Sequence, residues 1–157
     1  MKRKLYVAVW GMSLLTVCST PKTGAPEWFE NAVKTSDHQL LYMAEQLKDV
    51  PDTACFPRST KVDGSYRLEN AKDWTSGFYP GSMWLAYELS GDEALAKEAR
   101  RYTDRLEGIQ YYTGNHDIGF MMYCSYGNAL RLKPEPKDKE ILINSSESLC
   151  ARFSPEI

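Results

Sequence analysis

Apolar residues along this chain recur with the period of a helix, and no strand-like alternation of useful length appears. Between residues 27 and 48, Phe29, Val33, Leu40, Ala44 and Leu47 fall on one stripe, with charged residues elsewhere, until Pro51 stops the pattern. The stretch YPGSMWLAYELSGDEALAKEARRYTDRLEGI reads as a helical hairpin. Pro80 suits a first turn, Gly91 suits the left-handed residue that ends a helix, and Asp92 can cap the next one. A last helix is predicted after Pro134 and Pro136, from about Asp138 to Phe153, burying Ile141, Leu142, Ser145, Leu149 and Phe153.

The helices differ in kind. Residues 94 to 109 carry one apolar stripe (Leu95, Ala99, Tyr102, Leu106, Ile109) and a charged face of Lys97, Glu98, Arg100, Arg101, Asp104 and Arg105. Residues 82 to 90 and 118 to 132 are apolar nearly all round. A one-stripe helix lies outside, whereas an all-round apolar helix is covered on two sides. Alternation of the two kinds predicts an all-α fold of five helices forming an arc of an α/α toroid. Its inner helices would leave apolar faces bare, a pattern that invites association.

From 50 to 79 the chain has Pro51, Pro57, Gly64 and Gly77 and no clean period. A connection this long is commonly functional. Phe56, Tyr66, Trp74, Phe78 and Tyr79 are not the residues of a disordered linker.

Composition narrows the class. The 157 residues are 43% hydrophobic and 25% charged, with four Trp and ten Tyr, as in one globular domain rich in aromatics. The opening MKRKLYVAVWGMSLLTVCST has a basic start and then an apolar run too short for a comfortable bilayer span, the pattern of a secretory signal. Cys18 stands where a lipoprotein is cut and acylated, although Val17 is a poor fit for the residue before it. The expectation is an exported protein, periplasmic or an outer-membrane lipoprotein of a Gram-negative bacterium, with residues 19 to 157 as its helical domain. Removing the leader moves the net charge from −2 to −5, and no Lys/Arg-rich stripe remains for nucleic acid. Cys55, Cys124 and Cys150 have neither the even count nor the spacing of a disulfide framework or zinc cluster. Cys124 and Cys150 read as small buried hydrophobes. No metal or cofactor is implied.

Candidate chemistry centres on GNHDIGFMMYCSYGN, residues 114 to 128. The plain role of Asp117 is an N-cap, but a cap needs no histidine before it. A helix N-terminus and the imidazolium of His116 would both favour its carboxylate, so acid catalysis calls for a second carboxylate close by. Trp74, in DWTSGFYPG, can stack on a sugar or pack in a core. His38, mid-helix, reads as solvent-facing or satisfied.

Three stretches together resemble a family. DWTSGFYPGSMWLAYELSGDEALAKEARRYTDRLEG, NHDIGFMMYCSYGNALRL and ESLCARFSP, in that order, look like the unsaturated glucuronyl hydrolases of glycoside hydrolase family 88. The likeness runs from about Pro57 onward, roughly two thirds of the chain. It implies an (α/α)6 barrel, here incomplete, whose cleft takes unsaturated uronic acid at the end of oligosaccharides left by polysaccharide lyases, typically from glycosaminoglycans. In the family an aspartate protonates the 4,5-double bond, an activated water adds at carbon 5, and the hemiketal opens; this is vinyl-ether hydration, outside the carboxylate-separation rule for ordinary glycosidases. Asp117 matches the family's first essential aspartate, His116 its motif neighbour in substrate binding, and Trp74 a tryptophan of the sugar subsite. The second aspartate, the family's principal acid/base, lies past the RFSP segment and has no counterpart among these residues. Asp138, Glu140 and Glu147 fall in an outer-helix pattern and are poor substitutes. The expectation is an N-terminal part of such an enzyme, inactive alone.

Three other readings compete. A metal-dependent phosphohydrolase of the HD type needs a further His and Asp, and only His38 remains, 78 positions upstream. An unsaturated rhamnogalacturonyl hydrolase shares the barrel and reaction. A non-catalytic glycan-binding helical lipoprotein would fit export, aromatics and an orphan aspartate.

Overall fold

The computed structural model describes residues 24–156; the leader and Cys18 lie outside the described residues. Five helices follow one another. They are α1 (Glu27–Gln46), α2 (Phe78–Ser90), α3 (Glu93–Asp104), α4 (118–132) and α5 (Asp138–Cys150). Helix α4 is a composite: Ile118–Met122 and Asn128–Leu132 are α-helical, and Tyr123–Gly127 between them is a π-helical turn. The Ser125 hydroxyl there donates to the Met121 carbonyl at 2.6 Å.

The α2–α3 hairpin forms as its punctuation dictates. Gly91 takes φ 73°, where a side chain would be strained, and its N–H closes on the Tyr87 carbonyl. Asp92 then caps α3, accepting the Ala94 N–H at 2.9 Å. The core lies between these helices: Trp84, Tyr102, Leu95, Leu106, Met121 and Tyr126 are fully buried. The Trp84 indole N–H finds the Thr103 hydroxyl at 3.0 Å, so its burial leaves no donor unsatisfied.

Helices α2 and α4 form the inner layer, and α1, α3 and α5 pack outside them. Glycine fixes the inner contact. A Cβ on Gly77 would lie 2.2 Å from the Met121 carbonyl oxygen, and one on Gly81 would lie 2.9 Å from that of Cys124. Contacts advance in the same sense along both helices, so α2 and α4 run parallel and their N-termini share one rim. Their inward stripes are bare: Phe78, Leu85 and Leu89 on α2, Phe120 and Tyr123 on α4. The arc of alternating outer and inner helices is therefore as the periodicity predicts.

Several expectations need correction. A two-stranded antiparallel sheet, β1 (Phe56–Thr60) and β2 (Tyr66–Glu69), occupies the connection in which no strand was expected. Beyond Phe56 and Pro57 the residues of β1 are exposed, so no face supplies an alternating signal. The charged face of α3 also makes contacts that the sequence did not indicate. Arg100 grips the fully buried Asp138 with two hydrogen bonds, 2.8 and 3.0 Å, and Arg101 and Arg105 lie over the Tyr102 ring. Phe153 and Cys150 are exposed rather than buried, because α5 ends at Cys150 and the chain beyond it leaves the core. Cys124 is only partly buried.

Candidate active site

The rim shared by α2 and α4 carries the residues singled out in the sequence. Asp117 precedes the first turn of α4 without capping it: its carboxylate accepts no helix N–H. The cause is local. The side chain of Asn115 accepts the Asp117 N–H at 2.7 Å, an Asx turn that winds Asp117 to φ −75°, ψ 0°, away from the extended conformation a capping residue takes. Its backbone carbonyl still accepts the Met121 N–H at 3.0 Å. The carboxylate, 20% exposed, instead faces His116, whose Nε2 lies 3.4 Å from Oδ1. His116 itself is 79% exposed.

Trp74 is not a core residue; it is 42% exposed. Its ring meets Phe78 edge-on at 5.6 Å, and Phe78 meets Phe120 at 6.5 Å. Phe120 stands one turn from Asp117 on the same helix side. A continuous aromatic ledge thus crosses from the loop before α2 to the start of α4, ending beside the free carboxylate. In the sequence Phe78 stood out only as one aromatic of the 50–79 connection, and Phe120 only as part of an all-round apolar helix, because each also suits a buried helix face. The Gly77–Gly81 spacing was the signal that would have paired the two helices.

The loop bearing Trp74 is tied on both sides. Burial opposes the charge on Asp73, but the Thr75 hydroxyl and N–H and the Arg58 guanidinium outweigh it and hold its carboxyl below the usual range. His38 sits on α1 stacked against Tyr42, 6.5 Å between ring centroids. Among the described residues no three His, Cys, Asp or Glu side chains converge to hold a metal ion, and no helix is long and apolar enough to cross a membrane.

An arc of alternating helices with a non-capping aspartate and an aromatic ledge at one rim defines an α/α-toroid protein with a polar and aromatic rim. No family model matches the chain. Its whole length aligns, at 31% identity over 161 residues, with an unsaturated glucuronyl hydrolase of Formosa agariphila, of which it covers 40%. The crystal structure of an unsaturated glucuronyl hydrolase specific for heparin matches it with TM-score 0.76 and 42% identity, over 84% of this chain and 34% of that one. The unsaturated glucuronyl hydrolase of a Bacillus species, responsible for the degradation of glycosaminoglycan, matches with TM-score 0.61 and 25% identity, over 80% of this chain and 33% of that one. By sequence and fold the chain is similar throughout to unsaturated glucuronyl hydrolases, and its helices form an arc of an (α/α)6 barrel. It spans about 40% of the length of the curated relative that it matches over its whole length.

Proposed function

We propose that this chain carries one side of a site that hydrates the 4,5-double bond of an unsaturated uronic acid at the end of a glycosaminoglycan-type oligosaccharide. The observation that carries the reading is the uncapped Asp117 carboxylate beside the Trp74–Phe78–Phe120 ledge. A sugar stacked on Trp74 would present its ring to that rim, with His116 available to bind the uronate. Asp117 is the first of two aspartates acting at this double bond, the second being the acid that protonates carbon 4; water adds at carbon 5, and the resulting hemiketal opens to release the remaining sugar. Of the structural matches, one hydrolase is specific for heparin and another degrades glycosaminoglycan, which supports this substrate class over unsaturated rhamnogalacturonan. Export fits the same reading, and the basic-then-apolar N-terminus supports it, with Cys18 as a candidate lipid anchor.

The test is a titration with an unsaturated uronate disaccharide and its saturated counterpart, followed by tryptophan fluorescence. Preference for the unsaturated sugar, lost in Trp74→Ala, is expected. Turnover, read as loss of the unsaturated uronate absorbance in the protein that completes this barrel, should fall about 100-fold or more in Asp117→Asn. Equal retention of both sugars would leave a non-catalytic glycan-binding module as the reading.

A further inference from the structure

Strands β1 and β2 contain one irregularity. Pro57 pairs with Leu68 and Ser59 pairs with Arg67, so Arg58 is the extra residue of a β-bulge. Bulges re-aim side chains, and this one directs Arg58 out of the ladder toward the loop before α2. Its Nη1 lies 2.5 Å from Oδ2 of Asp73, and the other Asp73 oxygen accepts the Thr75 N–H at 3.0 Å and the Thr75 hydroxyl at 2.6 Å. The Asp73 N–H donates to the Asn70 carbonyl, and the Asp73 carbonyl accepts the N–H of the fully buried Ser76. Trp74 is the side chain this network leaves projecting.

We infer that Arg58 and Asp73 are positioning residues for Trp74: the bulge delivers a guanidinium that clamps the loop on which the sugar-stacking indole is mounted. An isolated exposed ion pair would contribute little. Here Arg58 lies on the exposed part of β1, but the Asp73 side chain is only 12% exposed and both its oxygens are engaged, so the pair constrains the backbone on either side of Trp74. A free indole must be ordered when a sugar stacks on it, and a loop already held removes that cost from binding. The consequence for sugar affinity rests on the substrate reading above; the consequence for the order of Trp74 does not.

The whole chain is compared with Arg58→Met, which keeps the apolar stem, and Arg58→Lys, which restores a cation. Each is made with and without Trp74→Phe, so that the Trp74 signal is obtained by difference. In Arg58→Met, acrylamide quenching of Trp74 should rise, and the dissociation constant for an unsaturated uronate disaccharide should rise about tenfold. Arg58→Lys should recover much of both. A merely structural role would lower the unfolding midpoint and leave quenching well below that midpoint unchanged. Unchanged quenching in a folded Arg58→Met variant overturns the clamp. Increased quenching in a chain whose wild type retains no unsaturated sugar supports the clamp and overturns the substrate reading instead.

Discussion

Asp92 and Asp117 stand at the starts of α3 and α4, and a reader of the sequence would assign both the same task. Asp92 performs it: at φ −73°, ψ 108° its backbone is extended and its side chain reaches the Ala94 N–H. Asp117, at ψ 0°, does not. The residue type and its place relative to the helix are shared, so neither decides the outcome. What differs is the residue just before. Both N–H groups are taken by the side chain two residues back, Ser90 for Asp92 and Asn115 for Asp117, but Asp92 follows a left-handed glycine that leaves it extended, whereas Asp117 follows His116, which is not left-handed, and is wound to ψ 0°. An aspartate kept from capping has oxygens left over for a ligand.

A third helix-start aspartate extends the comparison to its extreme. Asp138 opens α5 fully buried, held by Arg100 and by the Glu135 N–H at 2.8 Å. Asp138→Ala takes two hydrogen bonds from the Arg100 guanidinium, whose side chain is only 15% exposed, and leaves it the Lys133 carbonyl at 2.8 Å and Glu135 at 3.3 Å; it also leaves the Glu135 N–H without its acceptor. The expected loss of unfolding free energy is about 3–5 kcal/mol, measured by denaturant titration. A loss below 1 kcal/mol would mean that water reaches this pair and that burial does not set it apart from Asp92. Next in size is Gly77→Ala. Its Cβ would meet backbone, the Met121 carbonyl, so α2 and α4 must separate at the rim. A loss of about 1–3 kcal/mol is expected, together with weaker binding of the unsaturated sugar. Full stability with intact binding would show that the two N-termini need no close contact.

The five helices were legible because each announces its period and its stops: Pro51, Gly91, the Pro134–Pro136 pair. The hairpin 56–69 was not. Its strands are short and carry no alternating burial, and its turn rests on Asp63 and on Gly64 at φ 82°, local chemistry that periodicity does not register. The charged face of α3 was legible as charge but not as contact, since the pairing of Arg100 with Asp138 spans 38 residues. At the candidate site, the His116–Asp117 pair and Trp74 stood out by type. Their meeting at one rim depends on Gly77 packing against Met121, a tertiary fact that two glycines four residues apart only hint at.

The two smallest effects bear on the original pair and are best measured together. Asp92→Ala removes a cap and should cost about 1 kcal/mol. The matched Asp117→Ala removes no helix hydrogen bond, only a 3.4 Å approach to an exposed imidazole, and should change stability by less than about 0.5 kcal/mol. The same substitution should weaken binding of the unsaturated uronate disaccharide, so stability and function separate at this position as they do not at Asp92. Equal losses in the two variants would mean that Asp117 caps α4 in solution, with its oxygens spent on the helix. Asn115→Ala then distinguishes the cause. If the Asx turn is what withholds the cap, removing it lets Asp117 relax to the extended conformation, and a subsequent Asp117→Ala becomes as costly as Asp92→Ala.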